Sequence, residues 1–473
     1  MHDSLLLFGA TGDLAQRYLF PSLVHLLRDR LLPAQFRVIA IARSEHDDES
    51  FRAWLRERLC EDYDPAALDE LLRRVQYVSV DLADADSMAV ALSKFADRPS
   101  VSYLSTPPNL FASACRGLKA AGLLEAPSRL VLEKPIGHDL ASAQEIDATL
   151  KAALDESRIF RIDHYLGKAP VQNLLALRLG NTLLEATWER RWIESVDIIV
   201  AETAGVDGRE GYYADYGALR DMVQNHMLQL LALIAMEPPA AMDTNSIREE
   251  KRKVLRALRP MTAATADVDS VRGRYVTGVV DGQAAKGFDH RGHEDVETFV
   301  GLRAWIDNWR WAGVPFRLVT GKRMPSRTTE VVITFKPVTH WLFGADERRR
   351  ARANQLRVRL QPEETIELGL MGSLAASEWS ANELQPMSLD LAMLPPKRRI
   401  AYERLMIDAL KGDQTLFVRD DEVEAAWRWI DSVSAAWREA GTPVHDYPAG
   451  SWGPAEAQPF LPRTLTTTAG RKP

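Results

Sequence analysis

A chain of 473 residues carrying a formal charge of −7 is longer than one hydrophobic core fills, since cores stop growing near ~250–300 residues, so two domains are expected. At 46% hydrophobic and 26% charged residues the composition is globular, and no apolar run approaches the ~18 residues that a membrane helix needs. The two cysteines, Cys60 and Cys115, have neither CxxC spacing nor a paired framework, and basic residues are scattered, so no metal, membrane or nucleic-acid partner is expected.

The apolar run LLLF near the N-terminus is too short for an export signal, which implies a cytoplasmic location. Through the first 160 residues, short β-branched runs alternate with helical patterns, the signal for βαβ units and a parallel sheet. The strand candidates are SLLLF, RVIAIA, VQYVSV, SVSYLS and SRLVLE. LLLFGATGDLAQRYLFPSLVHL follows the strand, tight turn, helix plan of a dinucleotide site. Gly9 and Gly12 let the backbone approach a pyrophosphate, Ala15 takes the third small position, and Thr11, Asp13 and Leu14 complete the loop. The helix N-terminus behind it favours the negative charge. The spacing alone also suits an ordinary glycine turn; its place at the head of a βαβ chain favours a coenzyme.

RVIAIA ends at Arg43, where an NAD site would put an acidic residue to accept from the ribose 2′-hydroxyl. Arginine suits a 2′-phosphate, and a charge-assisted bond of ~1.5–3 kcal/mol would favour NADP by roughly 10- to 100-fold. Glu45, two residues on, blunts that preference and leaves NAD open as a second coenzyme.

The strand RIF runs into RIDHYLGK, residues 161–168, which sets Asp163, His164 and Tyr165 at a strand end, where open α/β sheets face their ligands. Lys168 falls near the start of the next helix, expected over 168–179, where a cation opposes the dipole unless an anion is bound. The arrangement asks for a phosphate. Beyond about 165 the character changes: TWERRWIESVDIIVAET, EVVITFK, NQLRVRLQ and TIELGLM predict a large, mostly antiparallel sheet. Between them lie a long helix, GALRDMVQNHMLQLLALIAMEPP, and an amphipathic one, IREEKRKVLRALRP, whose charge run reads as a solvated face. Trp309 and Trp311 in NWRWAGVPF read as core packing, and the tail from about 442 as a surface wrap or a partly disordered segment.

His226 sits four residues after Met222 and four before Leu230, on a face that should be buried. A lone histidine there is more often a satisfied core residue; a carboxylate partner would make it a base for alcohol oxidation. Spacing alone names no partner.

GATGDLAQRYLFPSL, SRLVLEKPIG, RIDHYLGK, AETAGVDGREGYYADYGALRDMVQNH and GVPFRLVTGKR, in order, resemble the glucose-6-phosphate dehydrogenase family, from about residue 5 to about 455. The resemblance implies an α/β Rossmann-like NADP-binding domain, residues 1–165, and a larger β+α domain with a mostly antiparallel sheet, residues 166–473, for substrate binding and oligomerisation. It implies oxidation of glucose 6-phosphate at C1 to the 6-phosphogluconolactone with hydride transfer to NADP or NAD, at the entry to the pentose phosphate pathway, by a homodimer or homotetramer. On that pattern His226 is the general base and Asp163 its carboxylate partner. His164, Tyr165 and Lys168 grip the phosphate, with Arg327 as a further cation, while Lys134, Glu202, Asp221, Lys322 and Gln361 contact sugar hydroxyls. Lys134 also borders the coenzyme, and Pro135 after it matches a proline that is cis in some relatives. Gln16, Arg17 and Tyr18 depart from the family, which has lysines in this stretch, and this bears on coenzyme affinity. Two alternatives stay open: a related sugar-phosphate or hexose dehydrogenase, and a non-catalytic NADP-binding redox sensor.

Overall fold

The computed structural model describes residues 1–59, 63–208, 210–289, 295–342, 351–373, 384–391 and 400–462. It holds two units: Met1–Lys168 with Pro239–Glu249 and Lys397–Trp427, and Ala169–Pro238 with Glu250–Pro396 and Arg428–Pro473.

In the first unit each expected apolar run is a strand: β1 Ser4–Phe8, β2 Arg37–Ala42, β3 Val75–Ser79, β4 Val101–Leu104, β5 Arg129–Leu132 and β6 Ile159–Ile162. They pair in the order β6-β5-β4-β1-β2-β3, all parallel, and Phe417–Val418 adds a short antiparallel edge beside β6. All five residues of β1 are buried, as a parallel strand covered on both faces requires. Strand order reverses between β1 and β4, so the crevice outside their carboxyl ends is the topological switch point. Leu5, Leu7, Phe20, Leu23 and Phe51 form the core on one side of the sheet, and Leu405 and Phe417, from far along the chain, join it.

The second unit carries a nine-stranded sheet. Its strands are β7 Ile193–Ala201, β8 Ser270–Val276, β11 Phe299–Ala304, β12 Phe316–Gly321, β13 Thr328–Phe335, β14 Gln355–Gln361, β15 Thr365–Ser373, β16 Leu384–Asp390 and Val444–Pro448; β9 Gly278–Val280 and β10 Gln283–Ala285 make a separate hairpin. The order is β16-β15-β14-β13-β7-β12-β11-β8 and then Val444–Pro448. Only β7 with β12 and β8 with Val444–Pro448 run parallel, so the sheet is mostly antiparallel, as its alternating sequences predict. β14 alternates buried and half-buried positions along its length, the pattern of a strand with one covered face.

Three expectations need correction. The tail is no loose wrap at 442, because Val444–Pro448 is a sheet strand. Trp311 is fully buried and donates to the Ala235 carbonyl at 2.7 Å, but Trp309 is 92% exposed, since the turn between them sends the two indoles to opposite sides. The charge run in the helix Thr244–Arg256 is not wholly solvated: Arg248 is buried against the Phe417 carbonyl, and Lys251 donates to Gln229 at 3.0 Å. A helical wheel scores these as polar, whereas each long side chain finds an acceptor in the interior. No helix among the described residues is long and apolar enough to cross a membrane.

Candidate active site

At the carboxyl end of β1 the chain turns at Gly9, whose φ of +75° is left-handed. A Cβ there would lie 2.5 Å from the Ser105 carbonyl oxygen, so only glycine fits. The Gly9 and Ala10 N–H groups donate to the Ile41 carbonyl, and Gly12 N–H donates back to Gly9, closing a loop whose small residues leave backbone exposed to a ligand. The helix that follows opens at Ala15, with no side-chain cap on its first N–H groups. Thr11 and Ser44 approach across the ends of β1 and β2 at 3.4 Å, and Arg43 beside Ser44 is exposed. The cradle and this arginine fit a dinucleotide with a 2′-phosphate. Of the residues that depart from the family, Gln16 donates to the Thr11 carbonyl at 2.7 Å, Arg17 pairs with Asp13 at the surface, and the Tyr18 ring lies 5.5 Å from that of Tyr402.

After β5 come Glu133 and Lys134, with a cis peptide between Lys134 and Pro135. Glu133 is 7% exposed and accepts the Tyr103 hydroxyl at 2.7 Å. Burial pushes its carboxyl up to about 7, even though Tyr103 and the charge and N–H of Lys134 favour the ionised form. Tyr103 and Tyr402 both lie in the field of this carboxyl, and burial drives their phenols upward.

DHYLGK, residues 163–168, forms a tight turn after β6. Asp163 is 2% exposed; its Oδ1 accepts Tyr165 N–H at 2.9 Å and its carbonyl accepts Leu166 N–H at 3.1 Å. His164 stacks on Tyr402, ring centroids 5.8 Å apart with planes 15° from parallel, and the Lys168 ammonium sits 4.1 Å from the centre of the Tyr165 ring. The charge cluster singled out in the sequence is therefore one packed group. Nearby acidic residues Asp147, Glu156 and Asp420 also converge, but Arg161 and Lys151 lie among them, so they form a structural ion-pair network.

In the second unit, the register of β7, β12, β13 and β14 brings Ala201, Gly321, Thr328 and Gln361 to one end of the sheet. Lys322 reaches from there to Glu202, with which it pairs, and lies 3.7 Å from Asp221. The ring of buried Tyr213 is 5.5 Å from the same ammonium, and burial beside Asp221, Glu202 and Glu297 raises its phenol well above normal. Gln361 accepts from Thr329 at 3.4 Å, outside the ion pair, and Arg327 is exposed to solvent. Asp221 and His226 share the π-type helical stretch Leu219–Met227, which continues as the α-helix Leu228–Ala235. His226 is 1% exposed. Glu297 holds the start of this helix by accepting Leu219 N–H at 3.0 Å; a side chain at Gly217 (φ +61°) would collide with that carboxylate.

Residues 6–173 match the family model described as glucose-6-phosphate dehydrogenase, NAD binding domain, and residues 175–467 match the C-terminal domain of the same family. The chain belongs to the glucose-6-phosphate dehydrogenase family. The glucose-6-phosphate 1-dehydrogenase of Zymomonas mobilis is 45% identical over 468 residues, covering 96% of each chain. That of Mycolicibacterium smegmatis is 44% identical, covering 97% of this chain and 95% of its own. Among solved structures, glucose-6-phosphate 1-dehydrogenase from Mycobacterium avium superposes with a TM-score of 0.83 at 36% identity, covering 97% of this chain and 96% of its own. A glucose-6-phosphate dehydrogenase in complex with its substrate glucose-6-phosphate gives 0.85 at 33%, covering 100% and 99%. As a member of the glucose-6-phosphate dehydrogenase family, the chain is an oxidoreductase of glucose metabolism with a nicotinamide-coenzyme domain.

Sequence reasoning missed Tyr103, Glu133, Tyr213, Glu297 and Tyr402. Glu133 was in plain sight beside Lys134, but a strand-end glutamate carries no signal of burial. Tyr402 and Glu297 reach their partners only through tertiary folding.

Proposed function

We propose that this chain oxidises glucose 6-phosphate at C1 to the 1,5-lactone with NADP, and secondarily NAD, as hydride acceptor. The observation that carries this is the match to both family domains across residues 6–173 and 175–467. Glucose 6-phosphate, the substrate held by one of the similar solved structures, also agrees with the packed His164, Tyr165 and Lys168 group.

The residues divide the work as follows. Gly9, Thr11, Gly12, Asp13 and Leu14 hold the pyrophosphate side of NADP, Arg43 its 2′-phosphate, and Lys134 borders both ligands. When bound, NADP supplies the acceptor for the hydride from C1. His164, Tyr165 and Lys168 hold the phosphate of the sugar, with Arg327 as an outer cation, while Glu202, Asp221, Lys322 and Gln361 meet its hydroxyls. His226 takes the proton from the C1 hydroxyl as hydride leaves, and Asp163 orients the imidazole and stabilises its protonated form, a contribution of ~10²- to 10⁴-fold. Each of the two side chains is buried in its own unit, where a charge interacts more strongly than in water.

Residues 1–165 act in this reading as the coenzyme module and 166–473 as the module for substrate and for assembly into a cytoplasmic homodimer or homotetramer. The test mixes purified protein with NADP or NAD and glucose 6-phosphate, glucose or galactose 6-phosphate and follows reduced-coenzyme absorbance. Absence of signal with every pair would overturn the reading; light scattering checks the assembly.

A further inference from the structure

NADP differs from NAD by its 2′-phosphate, so a preference between them depends on how firmly the cation for that phosphate is placed. Arg43, assigned that contact above, stands where the chain leaves β2, and its side chain is exposed. The backbone beside it is held by a side chain from the neighbouring strand. Tyr77, buried on β3, lies opposite Ala40 of β2, and its hydroxyl donates to the Ser44 carbonyl at 2.7 Å, one residue beyond Arg43. The ring is itself held on two sides. Phe51 stacks on it, centroids 4.5 Å apart with planes 25° from parallel, and His46 meets it edge-on at 5.6 Å. Asp48 accepts the Tyr77 N–H at 2.6 Å, which ties the start of the helix Asp48–Leu59 to the same residue. Ser44 in turn approaches Thr11 of the glycine loop at 3.4 Å. The glycine loop closes by bonds of its own, since Gly9 and Ala10 donate to the Ile41 carbonyl and Gly12 donates to Gly9.

We propose that Tyr77 is a positioning residue for coenzyme selection: its hydroxyl clamps the Ser44 carbonyl and so sets Arg43 for the 2′-phosphate of NADP. This rests on the role given to Arg43 above. A loop leaving a strand is ordinarily mobile, and an arginine on it has many rotamers to lose before a phosphate contact forms. Fixing the backbone at the next residue removes part of that cost in advance. Both coenzymes use the glycine loop, whereas only NADP uses the cation, so the clamp acts on NADP.

Y77F tests it, because it keeps the ring against Phe51 and removes only the hydroxyl. Equilibrium titrations followed by fluorescence, which need no turnover, should show NADP bound about 3- to 10-fold more weakly, the scale of one neutral hydrogen bond. NAD should stay within about 2-fold of wild type, and this also shows that the coenzyme domain is folded. R43A/Y77F should bind NADP no more weakly than R43A, since the clamp then has no cation left to place. A tyrosine that only packs the core would weaken both coenzymes together, or weaken NADP by the same factor with and without Arg43. Either result overturns the proposal, as does wild-type affinity for NADP in Y77F. The two failures are separable. Equal losses of NADP and NAD in R43A remove the role of Arg43 and the proposal with it, whereas a selective R43A beside an unselective Y77F removes the proposal alone.

Discussion

Lys322 lies 3.7 Å from Asp221 while pairing with Glu202, so one ammonium, 13% exposed, serves two carboxylates that β7 and the Leu219–Met227 helix bring to the same place. Without it the two acids and the Tyr213 phenol would lose the cation that all three share. K322Q should therefore raise KM for glucose 6-phosphate by about 10- to 100-fold, the scale of a charged contact of ~1.5–3 kcal/mol. Steady-state kinetics at saturating NADP checks this, and an unchanged KM would remove Lys322 from the substrate contacts.

Arg43 follows β2 directly and stands beside Ser44, which meets Thr11 of the glycine loop. R43A should weaken NADP by about 10- to 100-fold and leave NAD within a few-fold, because only the 2′-phosphate loses a partner. Coenzyme titrations of both proteins decide it. Equal losses for the two coenzymes would mean that the arginine does not read the 2′-phosphate.

His226 is assigned as a base acting in the transition state. H226N should lower kcat by about 10²- to 10⁴-fold and change the dissociation constant for glucose 6-phosphate by no more than a few-fold. Rapid-mixing and equilibrium binding measurements separate the two effects. A kcat near wild type would withdraw the role.

Glu133 also makes a prediction about stability. Its folded value of about 7 lies above the ordinary 4.5, so the folded state binds the extra proton between these values. The stabilising difference is present below pH 4.5 and is lost as pH rises through 7. E133Q, neutral throughout, should gain on wild type across that window by about 3 kcal/mol, from ~1.36 kcal/mol per pH unit. Urea unfolding at a series of pH values measures it, and parallel curves would refute it.

The first sheet was legible almost strand for strand, because buried parallel strands are short, apolar and β-branched, and Gly9 follows β1 at the spacing a phosphate loop needs. Glu202, Asp221 and Lys322 came from the family pattern and do meet, yet nothing in their spacing could have said so, since the contact depends on strand register. Residues such as Arg248 and Lys251 went astray because periodicity counts a cation as surface whatever acceptors the interior holds. Tyr402, Glu297 and the strand Val444–Pro448 were invisible because each is defined by partners far along the chain.

That late strand sets where this side of the second sheet stops. By lying along β8 in parallel register from Arg272 to Val276, it satisfies backbone groups that would otherwise be a ready template for another chain. Pro448, which has no N–H, closes the row and discourages further growth outward. Val444–Pro448 thus covers the edge of β8, and chains cut just before Val444 would leave that edge open.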